Sequence, residues 1–133
     1  MQKSADPKQR RRLKAFILLL FKKEKTPLAS LNFIFCSDEY LLEINQQFLQ
    51  HNFYTDIISF NLASKNEQVE GEIYISLDRV RENARELNQP FKTELHRVIF
   101  HGALHLCGYK DKRQTDIQLM RKKENGYLKS YFK

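Results

Sequence analysis

The chain has 133 residues, 41% of them hydrophobic, with 23 Lys and Arg against 16 Asp and Glu and a formal net charge of +7. Ten Phe and six Tyr argue against disorder, two cysteines are too few for a disulfide framework, and no apolar run approaches the roughly 20 residues that a bilayer span needs. One domain over 1–133 with one core suits this length, and the positive balance fits a polyanionic partner such as RNA, with a lysine-rich solvated surface as the alternative.

KQRRRLK, AFILLLF and KKEK follow one another near the start and imitate an export signal. The apolar stretch is short, charges follow it at once, and no small-residue cleavage site comes next. Leu13, Phe16, Ile17, Leu20 and Phe21 instead fall at i, i+3, i+4, i+7 and i+8, the stripe of an amphipathic helix over about 7–24, with Pro7 in its first turn. LNFIFCS (31–37) alternates as a strand with one wetter face, and Ser37 caps a helix over 38–49 that turns Leu41, Leu42, Ile44 and Phe48 inward. TDIISFNL (55–62) is a second strand, ASKNEQVEG (63–71) a polar turn region, and GEIYISL (71–77) a third strand with Ile73, Ile75 and Leu77 on one side. A helix over 78–88 carries Arg79, Arg81 and Arg85. Pro90 opens a long helix to about 107 with Leu95, Val98, Ile99, Ala103 and Leu106 as its core stripe. Gly108 ends it, being able to turn left-handed. The last helix covers 115–132, with Gly126 as its weak point. Helices mixed with three short strands make an α+β domain. Cys36 and Cys107 sit in apolar runs with no short spacing, which points to buried thiols in a reducing compartment, the cytoplasm.

Half of the chain's four histidines stand on one helical turn, His101 and His105. At i and i+4 their rings share a face, the spacing at which two imidazoles hold one metal ion. A catalytic zinc takes three protein ligands and leaves one position open. Gly108 lets the chain turn just past the second histidine, so that Asp111 can return toward the ion as third ligand. Around the helix the pair lies at the border of the core stripe, which suits the edge of a cleft. Without Gly108 and Asp111, chance spacing would be the better reading of the pair.

In H-E-x-x-H zinc peptidases the residue after the first histidine is the general base. Here it is Gly102, so a peptidase mechanism lacks that group. Metal-activated water, able to ionise near neutrality, remains. Hydrolysis of a phosphodiester, with basic residues neutralising developing charge, best combines such a site with the charge of +7.

HGALHLCGYKD (101–111) resembles the H-G-x-L-H-L-x-G-Y-x-H signature of the YbeY family of bacterial rRNA maturation factors. TDIISF (55–60) resembles that family's T-D-V-L-S-F strand, and GEIYISLDRVRENA (71–84) its G-D-I-x-I-S-x-x-x-A segment. The resemblance spans most of 31–125. It implies a small central mixed β-sheet flanked by helices, with the histidine pair on a zincin-like metal-binding helix. It also implies a single-strand-specific, metal-dependent endoribonuclease acting in rRNA maturation at the 16S 3′ end and in ribosome quality control. One Zn2+ per chain, held by His101, His105 and Asp111, and a partnership with RNA and the small ribosomal subunit complete the implication.

Two departures stand out. Asp111 occupies the place of a third histidine, which makes bound water less acidic and admits harder divalent metals. Leu49 occupies the place of an arginine thought to face the phosphate; His51, Arg79 or Arg97 can take over. Arg79, Arg97, Lys110, Lys112 and Arg113 are the candidate RNA contacts, with Arg81 and Arg85 nearby. Glu94, two turns before His101, either orients the site or is a surface acid; His96 belongs to the surface and Cys107 to the core. Tyr109 either stacks a base or packs. Two further readings stand beside the nuclease: a non-catalytic rRNA-binding module with a structural metal, and an iron oxygenase of the two-histidine, one-carboxylate kind, whose ligands ordinarily lie on barrel strands.

Overall fold

A computed structural model of the chain describes residues 7–64 and 67–133. In chain order the elements are α1 (Pro7–Lys23), β1 (Leu28–Cys36), α2 (Asp38–Leu49), β2 (Ile57–Asn61), β3 (Val69–Ser76), α3 (Leu77–Glu86), α4 (Phe91–Leu106) and α5 (Gln114–Tyr131). The strands form a mixed sheet in the order β1-β3-β2, with β1 parallel and β2 antiparallel to the central β3. This is the small mixed α+β arrangement expected.

Alternation along the strands separates two apolar clusters. Ile73 and Ile75 face a large one built with α1, α3, α4 and α5, while Ile58 and Tyr74 face a small one with Leu41 and Ile44 of α2. One sheet face thus carries α2 and the other the remaining helices.

Several local expectations shift. β1 begins at Leu28, upstream of 31, and β3 begins at Val69, so residues expected in a turn pair instead; 65 and 66 of that turn lie outside the described residues. Phe48, expected inward, is 63% exposed, and its place is taken by Asn45, 1% exposed. α5 runs unbroken past Gly126, where a side chain would meet nothing within 4 Å. His96 is no surface residue: it is half-buried, stacked on Tyr131 at 5.1 Å between ring centroids, and hydrogen-bonded through Nδ1 to the Lys92 carbonyl at 2.8 Å. Cys36 and Cys107 are free and half-buried, and burial pushes both thiols up to about 11, which leaves them protonated and inert.

α4 carries the site and is the most enclosed helix. It touches α1, α3, α5, β2 and β3. Its buried residues therefore extend beyond the expected stripe to Phe100 and Leu104, both 0% exposed, while Leu95 and Leu106 are only half-buried. Burying a side chain the size of Phe100 contributes about 1.5–3 kcal/mol. Gly102 explains how the helix sits so close to the sheet: a Cβ there would lie 2.7 Å from Ile57 Cδ1 and 3.1 Å from Ile73. The residue that denies the chain a peptidase base is a packing requirement.

Candidate metal centre

α4 ends with His101 and His105 one turn apart, their ring centroids separated by 4.6 Å. Gly108 adopts φ +102°, a conformation unfavourable to L side chains, and the chain turns there. Gly108 N–H donates to the His105 carbonyl at 3.0 Å, and Tyr109 N–H to the Leu104 carbonyl at 3.1 Å, which closes the helix end. Tyr109 is then anchored by its hydroxyl, which donates to Glu24 at 2.7 Å, while Tyr127 donates to the same carboxylate at 2.5 Å. Tyr109 thus packs and tethers the loop; its hydroxyl is committed to the end of α1.

The tethered loop returns Asp111. Its Oδ2 lies 3.2 Å from Nε2 of both His101 and His105. One ligand atom from each of the three residues falls within 4.8 Å of the others. Two imidazole nitrogens and a carboxylate oxygen are a donor set for Zn2+ or a comparable divalent metal, and the third donor arrives from off the helix.

A residue not foreseen from the sequence completes the arrangement. Glu124 of α5, 4% exposed, accepts a hydrogen bond from His101 Nδ1 at 2.5 Å. A proton held on Nδ1 leaves the Nε2 lone pair free to ligate on the side shared with His105 and Asp111, the usual way a ligating histidine is oriented. Burial pushes the His101 ring toward its neutral form, but the Glu124 hydrogen bond and charge, then Asp111 and Asp56, outweigh it and hold the imidazole above the ordinary histidine value. The negative potential that stabilises a proton there also favours a cation. Glu124 sits within RKKENG, which reads as a solvated charge run. Its spacing from Met120, Tyr127, Leu128 and Tyr131, all buried, is the signal that places it on the inner stripe of α5.

Glu94, the acid singled out on α4, is buried but paired with Arg97 at 3.5 Å, and burial raises its pKa. Orientation of His101 falls to Glu124 instead.

The sequence model of the family described as Endoribonuclease YbeY matches residues 2–132 of the chain. The chain belongs to the YbeY family. It is similar to an Endoribonuclease YbeY of Cytophaga hutchinsonii, 48% identical over 121 residues that cover 91% of this chain and 85% of the relative. Another, from Flavobacterium psychrophilum, is 55% identical over 101 residues, 76% of this chain and 71% of the relative. A solution structure of a Thermotoga maritima protein superposes with a TM-score of 0.68 at 34% identity, covering 98% of this chain and 85% of that one.

In this YbeY chain two cavities meet at the ligand group, sharing Asp56, Ile57, His101 and Asp111. The first, about 390 Å³, is lined also by Glu94, Arg97 and Glu124; the second, about 550 Å³, by Leu49, His51, Phe53 and His105. Leu49, expected to stand where the family resemblance places an arginine, lines the second cavity, and among the described residues no Lys or Arg lines it.

The candidate RNA contacts divide. Lys110, Lys112 and Arg113 are exposed around Asp111. Arg79 is bound to Asp38 at 2.7 Å and lies 5.3 Å over the Tyr54 ring. Arg97 is 17% exposed and held by Glu94, by Glu124 at 3.3 Å and by Asn125 at 2.9 Å. Ligands drawn from one helix and its following loop, beside a three-stranded sheet, do not match the barrel layout of the iron oxygenases. Among the described residues, no helix is long and apolar enough to cross a membrane.

Proposed function

We propose that this chain is a metal-dependent endoribonuclease that hydrolyses single-stranded segments of ribosomal RNA, acting in the cytoplasm on the small ribosomal subunit and the 3′ end of its RNA. The observation that carries the reading is the convergence of His101, His105 and Asp111 within 4.8 Å, with His101 oriented from behind by Glu124. His101 and His105 would supply one imidazole nitrogen each and Asp111 one carboxylate oxygen. Three protein ligands leave a coordination position open, as hydrolytic sites require and closed structural sites do not. Zn2+ suits the two imidazoles, with a harder divalent metal admitted by the carboxylate. When bound, the ion supplies Lewis acidity, which activates water near neutral pH and stabilises charge on a phosphoryl oxygen.

The chain's own residues do the rest. Glu124 keeps His101 in the required tautomer. Tyr109, anchored on Glu24, holds the loop that returns Asp111. Lys110, Lys112 and Arg113, exposed beside Asp111, seat the phosphates of the strand. Arg79 and Arg97 contribute their field to RNA binding, and direct contact would require each to leave its carboxylate partner.

Metal content by elemental analysis, paired with RNA cleavage by wild type and His105→Ala, tests the reading. Wild type should carry about one equivalent of metal per chain and cleave single-stranded RNA, and the variant should do neither. Equal metal in both would remove the site.

A second reading has one observation in its favour: Leu49 lines the cavity where the family carries its arginine. The chain would then be a non-catalytic rRNA-binding assembly factor with a structural metal. Chelation would lower its melting temperature, and wild type would show no metal-dependent cleavage.

A further inference from the structure

We propose that His51 and Phe53 form a nucleobase-stacking subsite for an RNA strand held at the His101, His105 and Asp111 group, an inference that rests on the endoribonuclease reading. α2 stops at Leu49, and Gln50 takes a left-handed conformation at φ 57°, which turns the chain back on the helix. The returning loop is then fixed at both ends by one buried side chain's residue. The Asn45 carbonyl accepts from His51 N–H at 3.1 Å, and Asn45 Nδ2 donates to the Phe53 carbonyl at 2.9 Å. Gln46 Nε2 donates to Asn52 Oδ1 between them at 2.6 Å. This is why a polar residue, Asn45, is buried on α2.

What the loop holds in place is a pair of rings. His51 and Phe53 stack with centroids 5.0 Å apart and planes inclined by 20°. Phe53 nevertheless stays 56% exposed. A backbone fixed by a buried amide, presenting an aromatic face to solvent, is organised for a flat apolar ligand. Bases of single-stranded nucleic acid are such ligands, and they stack on side-chain rings with little regard to sequence.

Position selects the ligand. Both rings line the cavity of about 550 Å³ that also contains His101, His105 and Asp111, so whatever stacks there is continuous with the reacting centre. Among the described residues no Lys or Arg lines that cavity, whereas Lys110, Lys112 and Arg113 are exposed around Asp111. Phosphates therefore belong on the basic loop and a base on the ring pair. A duplex, whose bases are already stacked and paired, cannot deliver one without opening. The subsite accordingly gives preference for a single strand.

The experiment measures binding of three fluorescent probes without divalent metal: a short single-stranded oligoribonucleotide, its duplex, and inorganic polyphosphate. Phe53→Ala should weaken the single strand about tenfold, within the range for losing one base–aromatic stack. His51→Ala should act in the same direction, Phe53→Trp should retain binding, and the duplex and polyphosphate should be unaffected. Unchanged single-strand binding by Phe53→Ala overturns the subsite, including in favour of a protein partner on that surface. Equal weakening of all three probes overturns it as well, as a general loss of fold or field. Because no metal is present, failure of wild type to cleave RNA in a separate assay sinks the endoribonuclease reading and leaves this measurement decisive for the rings.

Discussion

Glu124 Oε2 and His101 Nδ1 lie 2.5 Å apart, joining the middle of α5 to the turn of α4 that carries the candidate ligands. The contact ties the fold's packing to its chemistry: α5 docks on α4 through Met120, Tyr127 and Tyr131, and the same stripe delivers the carboxylate.

Replacing Glu124 by Ala should weaken metal binding about 10- to 100-fold, the usual loss when the outer partner of a ligating histidine is removed. Glu124→Gln should fall between, since an amide oxygen still accepts from Nδ1–H but carries no charge. Competition with a chromophoric chelator measures both. Identical affinities in all three proteins would make Glu124 a packing residue only.

Gly102→Ala pits propensity against packing. Alanine favours the helix by about 1 kcal/mol over glycine, but its Cβ would meet Ile57 Cδ1 at 2.7 Å and Ile73 at 3.1 Å. Overpacking ordinarily costs about 1–3 kcal/mol, so a net loss of stability is expected. Adding Ile57→Val, which removes the offending methyl, should restore part of it. A urea double-mutant cycle with no coupling between the two sites would contradict this account.

Gly108→Ala places an L side chain at φ +102° with open space around it. The strain should cost roughly 1–2 kcal/mol with no clash to relieve. The loop carrying Asp111 should shift, so metal affinity should drop along with the melting temperature. Retention of both would mean that the turn tolerates another backbone geometry.

Acid should act through Glu24. Burial pushes its carboxyl up, but hydrogen bonds from Tyr109 and Tyr127 and the charge of Lys123 outweigh it and hold the pKa below the ordinary 4.5. A depressed carboxylate stabilises the fold fully above its unfolded pKa, and that contribution is lost as pH falls through the folded value. Wild type should therefore lose stability below about pH 4.5 more steeply than Glu24→Gln, whose stability should be lower near neutrality. Parallel acid branches in urea midpoints would rule out this linkage.

Much of this was legible in the chain because local periodicity and chemistry coincide there. The stripe of Ile17, Leu20 and Phe21, the cap at Ser37, the alternation of Ile73 and Ile75, and the bend at Gly108 all depend on near neighbours. Likewise His101, His105 and Asp111 are close in sequence, so a helical turn and a glycine suffice to bring them together.

Less legible were Phe48 and Asn45, which exchange the expected inside and outside because a polar side chain serves the loop after α2. Phe100 and Leu104 escaped a single-stripe reading because α4 is enclosed by the sheet and three helices, so no one face defines its interior.

From the order of residues alone came the helices and strands, the α+β class, the donor set and the family likeness, each written in short-range spacing. Tertiary structure alone decided which charges are available and which are spent. It gave Glu124 to His101 and Arg97, Arg79 to Asp38, and Glu24 to Tyr109 and Tyr127. Those partners stand far apart along the chain or on separate faces, and a charged residue looks the same in sequence whether it faces water or a buried counter-charge; only the packing of helices against one sheet distinguishes the two.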